Sequence, residues 1–161
     1  MINSNPRFII HLGAPKTGST ALQKILTEHR EAFMHAGLLY PQTALRGFGH
    51  HDIAFLLDGG FPDWAKPIDC RLEDFCRDLR SEINTFEGDV LLSSENFYLF
   101  PQPQALFDFL QQLGISQRFE IVLINYIRRQ DEAVLSWYNQ RVKAQGYTGT
   151  LEDSIEDDFD L

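Results

Sequence analysis

Gly13 and Gly18 bracket a loop that holds Lys16 and Thr17, and Ser19 and Thr20 follow directly. Before it stands the apolar run Phe8-Ile9-Ile10-His11-Leu12, and after it a helical pattern over Ala21–Arg30. This is the chemistry of an anion cradle. Backbone N–H groups at a helix start point at the ligand, and the helix dipole favours negative charge there. The glycines allow close backbone approach because they lack Cβ. Lys16 adds a mobile cation with three donors. The hydroxyls of Thr17, Ser19 and Thr20 are expected to cap the helix and to bond phosphate oxygens. The glycine spacing matches a nucleoside-triphosphate loop, Gly-x-x-x-x-Gly-Lys-Ser/Thr, but Ser19 stands where that motif has its lysine. Here the lysine is inside the loop.

A second apolar run, Phe119–Ile127, ends in Arg128-Arg129-Gln130-Asp131-Glu132, and a helix is predicted over Asp131–Gln145. The run reads as a central parallel strand covered on both faces. Asp131 or Gln130 is the expected cap, with the acids at the positive end of the helix. Arg128 then lies at a strand's C-terminal end, where ligands bind in open α/β sheets. Arg128 and Ser136 make a phosphate clamp, since the guanidinium fork matches two phosphate oxygens. Arg129 is the alternative contact. The competing reading pairs both arginines with Asp131 and Glu132 at the surface.

Pro15-Lys16-Thr17-Gly18-Ser19-Thr20 resembles the 5′-phosphosulfate loop of sulfotransferases that use 3′-phosphoadenosine 5′-phosphosulfate. Arg128 and Ser136, eight positions apart and followed by Trp137-Tyr138, are similar to that family's 3′-phosphate segment. Gln130 stands where many members have proline. The resemblance implies that Lys16 stabilises charge on the oxygen between phosphorus and sulfur. It also implies that Thr17, Gly18, Ser19 and Thr20 hold the 5′-phosphate, and Arg128 and Ser136 the 3′-phosphate. The implied reaction is sulfuryl transfer to a hydroxyl or amine by in-line displacement, with 3′,5′-diphosphoadenosine leaving. Alignment and charge stabilisation would supply most of the catalysis. The alternatives are a P-loop nucleotide kinase or NTPase, and a non-catalytic nucleotide-binding module. The family normally runs on well beyond this length, so the chain is expected to be one sulfotransferase-like domain over 1–161, incomplete at its C-terminus.

Three residues are candidates for the base that takes the acceptor's proton. Glu95 follows the apolar segment Asp89–Ser93, with Ser94 beside it. His50 and His51 lie in Gly49-His50-His51-Asp52, within a loop-rich stretch, Gly47–Pro67, placed to cover the acceptor. No metal is expected, because the adjacent histidines lack further ligands at metal spacing. His11, inside the first strand, reads as a core residue with its ring nitrogens satisfied.

Positioning these residues requires alternating strands and helices. Strands are predicted at Phe8–Leu12, Leu38–Tyr40, Asp89–Ser93 and Phe119–Ile127. Helices are predicted at Ser19–His35, Ile53–Leu57, Leu72–Phe86, Gln104–Leu113 and Asp131–Gln145. A further helix opens in the acidic stretch Thr150–Leu161. The alternation implies an α/β chain with a three-layer P-loop-type fold, a central parallel sheet flanked by helices and right-handed crossovers. Trp137, Tyr138, Phe107 and Phe109 read as helix-to-sheet packing.

The 161 residues carry a net charge of −9 and thirteen phenylalanines. That length suits one domain with a sizeable core. Much of the negative charge sits in Glu152, Asp153, Glu156, Asp157, Asp158 and Asp160. Attraction of an anionic cofactor must therefore come from the loop cations, acting over a Debye length of about 8 Å. No basic stripe suggests nucleic acid, and no apolar run reaches membrane-spanning length. Met1–Arg7 lacks the pattern of a secretory signal, and Cys70 and Cys76 are read as free thiols, so a cytoplasmic location is expected.

Overall fold

In a parallel sheet buried on both faces, side chains alternate between two helical layers. The computed structural model, which describes residues 5–14, 16–98 and 103–159, has this arrangement. Strands β1 (Arg7–His11), β2 (Leu38–Leu39), β3 (Asp89–Ser93) and β4 (Glu120–Ile124) form one all-parallel sheet in the order β2-β3-β1-β4. Among the described residues seven α-helices accompany it, α1 (Ser19–Glu28), α2 (Arg30–His35), α3 (His51–Leu57), α4 (Leu72–Asn84), α5 (Pro103–Leu113), α6 (Gln130–Gln145) and α7 (Leu151–Phe159), with a 3-10 turn at Glu95–Phe97.

Phe8 and Ile10 of β1 and Val90 and Leu92 of β3 pack against Ile53, Phe75, Leu79, Ile83, Phe109 and Leu113 of α3, α4 and α5. Ile9 and Leu91, facing the other way, pack with Leu26 of α1 and with Tyr40. One apolar run thus serves two layers. Both Cys70 and Cys76 are free, Cys76 being buried on α4. None of the described helices is long and apolar enough to cross a membrane.

The structure corrects several expectations. β4 is an edge strand: Leu123 is 56% exposed, and the strand stops at Ile124 rather than Ile127. Beyond it the chain leaves the sheet, and Arg128 reaches the loop after β1. The helix predicted over Ser19–His35 breaks at His29 (φ −112°) into α1 and α2. α6 starts one residue early, and neither Gln130 nor Asp131 is its cap; Arg129 holds that position without a side-chain cap bond. Of the four aromatics assigned to packing, Phe109 is buried, but Phe107 is 54% exposed and Trp137 faces a cleft. The acidic stretch does form a helix, α7, and it is not isolated from cations: Arg141 of α6 lies 3.3 Å from Asp157. Pro15 and the last residues of that stretch, Asp160 and Leu161, lie outside the described residues.

Candidate anion and acceptor site

Gly13 (φ +54°), Lys16 (φ +66°) and Gly18 (φ +91°) all hold left-handed backbone, which folds the loop over the C-terminal end of β1. For lysine this conformation costs about 1–2 kcal/mol, a strain typical of ligand clamps. Gly18 is the N-cap of α1, and no side chain caps the helix. The predicted hydroxyl cap is therefore absent: Thr17 Oγ1 instead donates to Ala14 O at 2.6 Å, bracing the loop internally. Ser19 is buried and Thr20 exposed at the helix start.

β4 delivers Arg128 to the same place. Its Nη1 donates to the Lys16 carbonyl at 3.1 Å, although the two residues are 112 apart in sequence. Its Nε donates to Glu132 Oε2 at 3.0 Å. Arg129 instead points at Asp131, with Nη2 2.5 Å from Oδ2. Both arginines thus pair with the acids beside them, as the surface reading held, but only Arg128 also grips the loop. Lys16 Nζ donates to Gln140 Oε1 at 2.7 Å. Glu132, Ser136 and Gln140 follow one another at i, i+4 and i+8, so they share one stripe of α6. The half-buried Ser136 therefore lies between the partner of Arg128 and the partner of Lys16.

A cleft of about 820 Å³ opens between loop and helix, lined by Lys16, Thr17, Arg128, Arg129, Val134 and Trp137 among others. A smaller recess of about 360 Å³ is walled by Lys16, Thr17, Gly18, Ile127 and Arg128. These volumes span the range of small-ligand sites. A larger hollow of about 1050 Å³ lies at the opposite end of the sheet. Its two arginines are committed, Arg7 to Asp89 and Arg118 to the carbonyls of Ile83 and Phe86. It also sits at the strand ends where open α/β sheets do not place ligands.

Beside α1, β3 ends in a polar cluster. Gln23 Nε2 donates to Ser93 Oγ (3.2 Å) and to Glu95 Oε2 (3.1 Å). His51 Nδ1 lies 2.8 Å from Ser94 Oγ, 3.0 Å from Asn96 Nδ2 and 4.0 Å from Glu95 Oε2. The Asn96 amide donates, so Nδ1 accepts and the ring hydrogen sits on Nε2. His51 in this form is a donor. Burial holds its pKa below the usual histidine value, against the opposing pull of Glu95 and Asp52. Glu95, about one-third exposed, retains carboxylate lone pairs toward solvent.

His50 is wholly buried, and both its nitrogens are in use. Nε2 donates to Pro41 O at 3.0 Å, and Nδ1 accepts from Ser93 N at 3.1 Å. Burial pushes its pKa down to about 4. It ties the loop to β3 and has no nitrogen left for a substrate. The Gly47–Pro67 stretch contains α3 and an aromatic row. Phe55 stacks on His51 at 6.4 Å and meets Trp64 edge-on at 5.4 Å, with Trp64 73% exposed.

Sequence reading overlooked Gln23, Asn96 and Gln140. Gln23 was detectable: Ser19, Gln23 and Leu26 form the buried stripe of α1, and a polar residue on such a stripe needs partners. Gln140 continues the four-residue spacing from Ser136. No protein-family model matches the chain, and neither a curated protein nor a solved structure similar to it was found.

Proposed function

We propose that this chain is a P-loop-type domain that binds 3′-phosphoadenosine 5′-phosphosulfate and transfers its sulfuryl group to a hydroxyl or amine acceptor. The observation that carries the reading is the convergence of Lys16 and Arg128, from two strand tips, on one cleft. In this reading Thr17, Gly18, Ser19 and Thr20 receive the 5′-phosphate at the uncapped start of α1. Arg128 exchanges Glu132 for the 3′-phosphate, and Ser136, on the stripe between, donates its hydroxyl to the same group.

Transfer follows in-line displacement. The acceptor's lone pair forms the new bond to sulfur as the bond from sulfur to the 5′-phosphate oxygen breaks. The electron pair stays on that oxygen, where Lys16 Nζ, released from Gln140, neutralises it. The acceptor's proton passes to Glu95, which Gln23 orients. In this reading His51, its Nε2–H a donor, assists by holding the acceptor oxygen.

Titration calorimetry tests the reading with 3′,5′-diphosphoadenosine in one arm and ATP with magnesium in the other. Preference for the first, together with sulfuryl transfer that Lys16→Ala abolishes, is the expected result. Preference for ATP assigns the loop to a kinase or NTPase. Binding without turnover makes the chain a nucleotide-binding module.

A further inference from the structure

A histidine buried in a strand should have both ring nitrogens satisfied, since an unpaired buried polar atom gives up its hydrogen bonds to water and gains none in return. His11 is only 1% exposed and meets half of that requirement. Its Nδ1 lies 2.7 Å from Ser93 Oγ, while Nε2 has no hydrogen-bond partner among the described residues. The unpaired nitrogen is aimed at the base of the anion loop. A Cβ built on Gly13 would stand 2.6 Å from Ser19 Oγ, 3.1 Å from His11 Cε1 and 3.4 Å from His11 Nε2. Ser19 Oγ and the open edge of the ring therefore face the same spot beneath Gly13. In this state the Ser19 hydroxyl is turned to Thr17 Oγ1, at a long 3.4 Å.

The hydrogen count gives the orphan nitrogen its character. Ser93 Oγ accepts from Gln23 Nε2 and has one hydrogen of its own to give, to His11 Nδ1 or toward Tyr40. Given to His11, it leaves the ring hydrogen on Nε2, and this is the tautomer the proposal requires. Tyr126 covers the ring at 4.9 Å, and the Glu95 carboxylate opposes the effect of burial on it. Both α1 residues that face it, Ser19 and Gln23, are neutral.

We propose that His11 is the positioning residue for Ser19: its Nε2–H donates to Ser19 Oγ when the loop closes on a tetrahedral oxyanion, aiming the serine hydrogen at an anion oxygen. This rests on the anion-binding reading of the loop and adds a buried member to it. The unpaired nitrogen becomes the cost of the empty state, removed on binding. The same hydrogen-bonded chain runs on from His11 through Ser93 and Gln23 to Glu95, so loop and base share one polar spine.

Nuclear magnetic resonance of the wild-type chain with ¹⁵N-labelled histidine tests this directly. Two-bond ¹⁵N–¹H correlations read the ring tautomer before and after saturation with 3′,5′-diphosphoadenosine, and separately with inorganic phosphate. The expected result is an Nε2–H tautomer throughout, with the Nε2 signal moving on binding of either probe. An Nδ1–H tautomer, with the Ser93 hydrogen turned to Tyr40, would place a lone pair against the loop and overturn the proposal. So would binding that leaves Nε2 unmoved, though the anion loop itself would then stand. No binding of either probe would remove both readings. In calorimetry, His11→Asn keeps the Ser93 contact and should bind about tenfold more weakly, while His11→Gln, which restores a donor near Nε2, should stay within about threefold. Equal loss in both, with both folded, would make His11 a packing residue.

Discussion

Arg128 separates the anion-site reading from a plain surface ion pair, because the two demand different losses on truncation. Its pair with Glu132 is an i,i+4 contact at 3.0 Å, with side chains 38% and 50% exposed. Such pairs contribute about 0.3–0.5 kcal/mol. The bond to the Lys16 carbonyl adds about 1 kcal/mol. Arg128→Ala should therefore cost little stability, and the melting temperature should fall by only about 2–6 °C for a chain of this size. A phosphate held by a guanidinium fork is worth about 1.5–3 kcal/mol, so affinity for 3′,5′-diphosphoadenosine should fall about 10- to 100-fold. Glu132→Gln makes the opposite prediction. It frees Arg128 and removes a negative charge, and affinity should rise about twofold, the worth of the pair it breaks. Calorimetry at fixed salt, with thermal unfolding run on the same samples, measures both. If Arg128→Ala lowers the melting temperature but leaves affinity within twofold, the arginine is structural and the site is misassigned.

Glu95→Gln should lower kcat/KM for sulfuryl transfer about 100-fold or more while sparing nucleotide affinity, as loss of a base does; a matching loss of affinity would make it a cofactor ligand. Gly13→Ala meets both a left-handed backbone and the Ser19 hydroxyl, whereas Gly18→Ala meets only the backbone. Both should lose about 1–2 kcal/mol from strain, with Gly13→Ala the larger, by thermal or urea unfolding. His50 has a folded pKa of about 4 against an ordinary 6.5. Its protonation favours the unfolded chain, so stability is full above pH 6.5 and falls as pH drops from 6.5 toward 4, at up to about 1.4 kcal/mol per pH unit. His11 and His51, held low by burial, add in the same direction. Urea titrations at pH 7, 6 and 5 read that slope; a flat profile would mean the histidines are solvated.

The apolar runs made β1 and β3 legible, Asp89–Ser93 to the residue, because continuous burial leaves no other use for them. β4 read as central for the same reason, yet composition cannot say whether a second neighbour exists. The loop after β1 was legible from its glycines and Lys16. The capping role of its hydroxyls was not, since Thr17 found a carbonyl within its own loop. Arg128 and Ser136 were singled out by the resemblance of their segment to a phosphate-binding one, whereas what sets Arg128 apart from Arg129 is a contact with a residue 112 positions away. His50 and His51 are chemically identical in sequence, and only the structure shows that one is wholly buried with both nitrogens in use while the other keeps some exposure.

The parallel sheet has a kinetic consequence. β1 sits between β3 and β4, and its partners Ser93 and Ile124 arrive 82 and 113 positions after His11. Closing loops of that size before any contact compensates is slow. Glu95, Lys16 and Arg128 follow β3, β1 and β4 in turn, so all three come together only once β1 has paired on both sides. Under the proposed function, nucleotide affinity would rise late in refolding, and excess 3′,5′-diphosphoadenosine should raise the melting temperature of the whole sheet.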